Sequence, residues 1–297
     1  MKIMLNKIQI ISLTVLIGLG TFTLVDGVPV QPATNNHRPP VYVFAGNSSH
    51  KQPIHVSQIQ QPQATQATII TTSLPATTRY SENWAGYIDI PSFSGGYTSV
   101  SGSWIVPNLS ASQENAAAAQ WIGLGGSSSN DLLQMGTSEQ LEDGELVCKV
   151  FWEQLPALAQ TVMTVPVGAT INANIFPSAD SKLTWNLTFT VNGQSETQTI
   201  PPVTLTSSYA QEIGTSAEWI SEEPLTQNDK LYPFADMGTI FYKSALVNGQ
   251  ALNSAGNQVQ PVALVAGNGN ILIVPSALGA DGESFSTNIP STVSPPH

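Results

Sequence analysis

The sequence predicts an all-β domain built as a β-sandwich, and three observations carry this prediction. The segment from Trp185 to Val191 alternates apolar and polar residues and then meets Asn192-Gly193, a pair that favours the type I′ turn of a hairpin. The segment from Val247 to Gln250 contains the same Asn-Gly turn signal. Gly and Pro are scattered through the chain and no long period of 3.6 residues occurs. Many short strands joined by regular turns are typical of a β-sandwich.

Other segments fit this architecture in chain order. Two helices are expected, around Ala116–Ala119 and Tyr209–Ile213, and each has a length of about one turn. Further β-rich segments run from Val162 to Ile175 and from Ile271 to Val274. Residues 291–297 are expected to form a frayed tail. The strands therefore account for most of residues 78–290, which we expect to fold as one domain.

The first 77 residues have a different composition. Lys2 and Lys7 precede an apolar stretch that ends at Asp26-Gly27, the pattern of a signal peptide over residues 1–27. An uncleaved membrane anchor is the alternative. Residues 28–77 are rich in Pro, Gln and Thr, contain no Trp and cannot bury a competitive core. We expect this part to be a largely irregular prosegment or linker, and the protein to be secreted.

The charge of the chain favours some functions and excludes others. After Arg79 there are 19 Asp and Glu residues and only four basic ones, the lysines 149, 182, 230 and 243. Such a domain repels itself at neutral pH, but below about pH 4 most carboxylates are protonated. Acid is therefore the expected working environment. A shortage of Arg and Lys argues against nucleic acid, whose phosphates need basic partners.

The residue types that remain restrict the chemistry. Three of the four histidines precede the β domain and the fourth, His297, is the last residue. Histidine-based triads and histidine-bound catalytic zinc are therefore excluded from the domain. Cys148 is the only cysteine and lies in an apolar context, which favours a core residue over a nucleophile. Carboxylate chemistry without a metal or cofactor is what the sequence predicts.

Two glutamates differ from the other acidic residues. Glu153 and Glu218 have aromatic and aliphatic neighbours, which place a carboxyl near apolar surface and raise its pKa. From context alone they rank equally, and either could also be an outward-facing strand residue. The acidic group around the Asp143-Gly144 turn is expected to face solvent; its members are Glu139, Glu142, Asp143 and Glu145.

Seven short strings, in order and at approximate spacing, resemble the glutamic peptidases, or eqolisins, a family best known as acid endopeptidases secreted by fungi. They span most of the β domain: Ser81–Tyr87 (SENWAGY), Ser101–Pro107 (SGSWIVP), Gln120–Gly126 (QWIGLGG), Leu132–Gly136 (LLQMG), Phe151–Pro156 (FWEQLP), Ala217–Glu222 (AEWISE) and Tyr232–Asp236 (YPFAD). No single string is decisive. The resemblance rests on all seven strings occurring in the same order.

The resemblance implies a sandwich of two curved antiparallel sheets, like a concanavalin-type jelly roll, with the active site on a concave face. It implies that Gln134 and Glu218 are the catalytic pair and that Trp121 and Glu153 line the cleft. Trp84, in the first string, is expected to bind substrate with them. Pepstatin insensitivity is implied as well. The chain departs from the family pattern at Gly125, Gln154 and Leu155, so substrate preference should not be transferred.

The expected function is therefore a secreted acid endopeptidase that cleaves proteins or peptides, matured near residues 70 to 80. We expect a monomer with no cofactor and no stable membrane association after signal cleavage. A glycoside hydrolase using Glu153 and Glu218 is one alternative, for which Glu153 should lie closer to Glu218 than Gln134 does. A sugar-binding module is another, with its stacking platforms among Trp84, Trp104, Trp121, Trp152 and Trp219.

Overall fold

The computed structural model describes residues 69–70, 74–195, 199–226, 228–290 and 292–293. The expected signal peptide and most of the expected prosegment lie outside the described residues. Within them, no helix has the length and apolar character needed to cross a membrane. The described strands of the domain run from Arg79 to Asn288.

The described residues form 19 strands and a short helical segment. The helical segment is α1, Ser207–Glu212, followed by a 3₁₀ turn at Ile213–Thr215. The strands are β1 Ile69–Ile70, β2 Arg79–Ser81, β3 Trp84–Pro91, β4 Val100–Ile105, β5 Ala117–Gly125, β6 Leu132–Glu142, β7 Glu145–Gln154, β8 Gln160–Thr164, β9 Thr170–Ser178, β10 Ser181–Val191, β11 Gln194–Ser195, β12 Val203–Thr204, β13 Ala217–Glu222, β14 Ile240–Val247, β15 Gln250–Ala251, β16 Asn257–Val265, β17 Ile271–Pro275, β18 Phe285–Asn288 and β19 Thr292–Val293.

The strands form two sheets, which confirms the predicted all-β class. The main sheet has the order β17, β16, β3, β13, β5, β6, β7, β8; its strands are antiparallel, and β2 joins β16 in parallel. The second sheet centres on β14, β4, β9 and β10. Strand β18 pairs with both β14 and β17 and so connects the two sheets. Apart from these, β1 pairs with β19.

The two sheets enclose the larger apolar core. Trp104, Trp185 and Trp219 are buried in it together with aliphatic residues from both sheets. Cys148 is buried in the same core, and burial raises the pKa of its thiol to about 12, as expected of a structural rather than a nucleophilic cysteine. A second apolar cluster lies on the opposite face of the main sheet. The main sheet is therefore buried on both faces.

Hairpin predictions are confirmed, and one of the two helix predictions is wrong. Asn192 and Gly193 both have positive φ, at 52° and 77°, and join β10 to β11 as a type I′ turn requires. Tyr209 lies in α1, as expected, but Ala117–Gly125 is the strand β5. The helix propensity of alanine does not decide the structure there, because β5 pairs with a strand on each side. The strand is also buried throughout, and small side chains fit such a position.

Candidate active site

Strand register places the predicted catalytic residues on one face of the main sheet. Glu218 of β13 lies opposite Gly123 of β5, and Gly123 lies opposite Gln134 of β6. Gln134 in turn lies opposite Glu153 of β7. Because residues directly opposite each other point to the same side of a sheet, these side chains form one row across four strands. We call this side of the main sheet the site face.

The residue between Glu218 and Gln134 in this row is Gly123, so no side chain of β5 separates them. A Cβ added at Gly123 would come within 2.9 Å of Leu132 Cδ1 and 3.3 Å of Gln134 Cβ. Adjacent strands are about 4.8 Å apart, so the backbones at Glu218 and Gln134 are separated by about 10 Å. The same added Cβ would lie 3.0 Å from Trp121 Cζ3, so side chains of Leu132 and Trp121 pack directly over Gly123.

Gln134 is held by Glu153. Its amide Nε2 donates a hydrogen bond of 2.6 Å to Glu153 Oε2, and both side chains are fully buried. Gln134 Oε1 and Glu153 Oε1 have no hydrogen-bond partner among the described residues. Burial raises the pKa of Glu153 well above its usual range; the bond from Gln134 lowers it in part, and Glu222 raises it.

Glu218 is the second buried carboxyl of the row. It is fully buried, and within the described parts of the chain neither of its oxygens makes a hydrogen bond of ordinary geometry. Burial raises the pKa of Glu218 well above its usual range; the Ser216 hydroxyl lowers it in part and the charge of Asp89 raises it. A carboxyl in this setting holds its proton until water or another polar group reaches it.

Trp84 and Trp121, both expected to bind substrate, also lie on the site face. Their rings meet edge to face with centroids 4.9 Å apart, and both side chains are buried. By contrast, Trp104 and Trp219 point into the core between the sheets, and Trp152 packs against that core. Three of the five tryptophans considered as stacking platforms for a sugar therefore face the core between the sheets and not the site face.

Two acidic residues differ from what the sequence suggested. Glu139 is fully buried rather than exposed, because β6 extends through Glu142 and its alternation turns Glu139 towards the core. Glu222 was not singled out, yet it is buried on the site face and accepts hydrogen bonds from both site-face tryptophans. Its spacing was the signal: four residues after Glu218 on one strand puts the two side chains on the same face.

The described residues contain no group of three or more His, Cys, Asp and Glu side chains arranged to hold a metal ion. The chemistry that the site face can support is that of an amide and a carboxyl side by side. Together with the β-sandwich, this arrangement fits a class of proteins: hydrolases whose site offers acid–base and amide groups rather than a nucleophilic side chain.

Comparison with known proteins identifies that class more closely. Residues 82–281 match the family model described as the peptidase A4 family. Because the match covers more than half of the chain, the protein belongs to this family, the glutamic peptidases, and is a glutamic-type endopeptidase. No curated protein matches the chain by sequence.

Solved structures agree on the fold. The chain is similar to Scytalido-glutamic peptidase bound to a peptide-based transition-state analogue, with 21% identity, a TM-score of 0.55, and coverage of 70% of this chain and 98% of that one. It is also similar to SCP-B, a member of the eqolisin family in complex with the tripeptide Ala-Ile-His, with 21% identity, a TM-score of 0.51 and the same coverage. The predicted β-sandwich is confirmed by these likenesses.

Proposed function

We propose that this chain is an exported endopeptidase that works in acid, with Glu218 as general acid and base and Gln134 as its partner. The observation that carries the proposal is the row Glu218–Gly123–Gln134–Glu153 across the site face. It supports a mechanism in which a water molecule and the scissile carbonyl bind between Glu218 and Gln134.

Glu218 would move the proton. As a carboxylate it takes a proton from the water whose oxygen attacks the carbonyl carbon, and a tetrahedral intermediate forms. It then gives that proton to the amine nitrogen as the C–N bond breaks, which restores the carboxylate. Proton transfer by a positioned side chain of this kind contributes about 10²–10⁴-fold to a rate.

Gln134 would hold the water and the intermediate. Its amide has two N–H groups, of which one donates to Glu153. The second can donate to the developing oxyanion, and the unpaired Oε1 can accept a hydrogen bond from the attacking water. An amide does not titrate, so this role is kept at low pH. Loss of such a donor costs about 10²–10³ in rate in other hydrolases.

The proposal includes synthesis as a precursor. Gln134, Glu153 and Glu218 are all fully buried in the full chain, and a protonated Glu218 cannot act as a base. Substrate therefore needs a form in which the site face is accessible. We propose that cleavage near residues 70 to 80 produces that form, after a signal over residues 1–27 has directed export.

A glycoside hydrolase built on Glu153 and Glu218 is less well supported. Glu153 is three strands from Glu218, whereas Gln134 is two strands away and lies between them. Gln134 also occupies one oxygen of Glu153. The order of these residues is the one expected for the peptidase and not for a pair of catalytic carboxyls.

The test is proteolysis by the purified full chain at about pH 3, recorded as self-cleavage and as digestion of a casein-like protein. Glu218→Gln should abolish both, and Gln134→Ala should slow both by about 10²–10³-fold. Glu145→Gln, at an exposed carboxyl, is the matched control and should behave like the parent. Digestion by a folded Glu218→Gln variant, or strong inhibition of the parent by pepstatin, would contradict the mechanism.

A further inference from the structure

Glu222 makes contacts that the mechanism above does not use. Trp121 Nε1 donates a hydrogen bond of 2.7 Å to its Oε2, and Trp84 Nε1 donates one of 3.3 Å to its Oε1. Asn83 Nδ2 approaches the same Oε1 at 3.4 Å. All four side chains are buried. One carboxyl group therefore receives the indole N–H groups of both tryptophans on the site face.

Two indole N–H groups that point to one residue need a side chain with two hydrogen-bond acceptors. An indole N–H can only donate, and a buried donor without an acceptor is costly. A carboxyl group has two accepting oxygens, so it can satisfy both indoles at once and fix the 78° angle between their rings. The amide of a glutamine would accept from one indole and oppose the other with its own N–H groups.

Residues of the Ser81–Tyr87 segment also take part in the hydrogen bonding of Glu222. Ser81 Oγ donates to Asn83 Oδ1 at 3.0 Å and accepts from the backbone N–H groups of Asn83 and Trp84. Asn83 then donates to Glu222. The turn between β2 and β3 and the end of β13 are thus joined in one buried network, which fixes both the backbone and the indole of Trp84.

We propose that Glu222 is a positioning residue of the peptidase: it acts through Trp84 and Trp121 by fixing their indole rings, against which a peptide substrate packs. This inference rests on the proposed function. Glu222 lies four residues from Glu218, about 13 Å along the strand, which is too far for the two carboxyls to act on one bond. Its effect is therefore on substrate binding rather than on the chemical step.

The experiment measures kcat and KM for a peptide substrate with the acid-incubated protein carrying Glu222→Gln. We expect KM to rise about tenfold while kcat changes less than about threefold, the pattern of lost uniform binding. Trp121→Phe keeps an aromatic ring but removes the N–H together with the five-membered ring of the indole, so it should also raise KM. Glu145→Gln, the same exchange at an exposed carboxyl, is the control and should leave both constants unchanged.

A double-mutant cycle distinguishes positioning from a general loss of structure. If Glu222 acts in part through Trp121, Glu222→Gln should raise KM by a smaller factor in Trp121→Phe than in the parent, whereas independent effects would multiply. Multiplying effects would overturn the proposal, as would a loss of kcat at unchanged KM. If Glu222→Gln fails to fold, the KM of Trp121→Phe alone decides. Proteolysis retained by Glu218→Gln would instead overturn the proposed function, which separates the two failures.

Discussion

Glu139 offers a direct test of how this fold depends on pH. Its carboxyl lies on the core side of β6 and is fully buried. The polar or titratable groups that interact with it are Thr137, Gln120, Cys148 and Tyr242. The one ion pair of the described residues, between Lys149 and Glu142, does not involve it. Burial raises the pKa of Glu139 to about 8, and Thr137 and Gln120 lower it only in part.

The sign and size of the effect follow from that shift. In the unfolded chain the carboxyl ionises near its ordinary pKa of 4.5, whereas in the folded chain it keeps its proton up to about pH 8. Between these values the unfolded chain binds fewer protons, so the free energy of unfolding falls as pH rises. The loss is about 1.4 kcal/mol per pH unit, or about 3.5 kcal/mol between pH 4.5 and pH 7.

Glu139→Gln should remove this dependence. The measurement is urea unfolding, followed by tryptophan fluorescence, of the full chain carrying Glu218→Gln so that it cannot digest itself. At pH 3.5 the added Glu139→Gln should change the free energy of unfolding by less than about 1 kcal/mol, and at pH 7 it should raise it by about 3 kcal/mol.

Glu145→Gln, at an exposed carboxyl of the neighbouring strand, is the control for the loss of one acidic residue. It should leave the pH dependence of unfolding as it is in the parent. If Glu139→Gln shifted the free energy of unfolding equally at both pH values, Glu139 would not be the buried titrating group, and the argument from its burial would be refuted.

Two further predictions concern the site and its maturation. Gly123→Ala should lower kcat/KM at least tenfold, because a Cβ there would come within 2.9 Å of Leu132 and 3.0 Å of Trp121 and displace side chains of the site face. Gly267→Ala, where a Cβ meets nothing within 4 Å, is the control, and steady-state kinetics on a peptide checks both. The N-terminus of the acid-matured protein should lie no later than Arg79, because β2 pairs with β16 and Ser81 bonds the backbone of Trp84; N-terminal sequencing that begins after Ser81 in an active protein would contradict this.

The fold was largely predictable because its signals are local. Alternation from Trp185 to Val191 and the Asn192-Gly193 turn needed only neighbouring residues, and both are confirmed. The Ala116–Ala119 prediction failed because the fate of an alanine run is decided by what packs beside it. The expectation that Glu139 faces solvent failed for a related reason: where β6 ends sets which way its last residues point, and sequence patterns define strand ends poorly.

Glu153 and Glu218 were singled out by their apolar neighbours, but Gln134 and its pairing with Glu218 were predicted only through the family resemblance. Nothing in the spacing of Gln134, Glu153 and Glu218 says that their strands align in register, since β6 and β13 are some 80 residues apart and separated in the sheet by β5. Glu222 could have been found by the period of two along β13. Its partners could not, because Trp84 and Trp121 come from two other strands.

The alternation of β13 explains why the carboxyl of Glu218 can be placed so firmly. Glu218 and Glu222 point to the site face, while Trp219 and Ser221 point to the core. Trp219 Nε1 donates to Ser101 O at 2.7 Å, and Ser221 bonds Thr287.

Backbone pairing on both edges, with β3 and β5, adds to these anchors. A slip of one residue would bury Glu218 in the core and expel Trp219, so each side chain that anchors the core face also fixes Glu218. In the proposed mechanism, Glu218 on such a strand keeps its position while its solvation changes, and access of water and substrate to the site face would control activity.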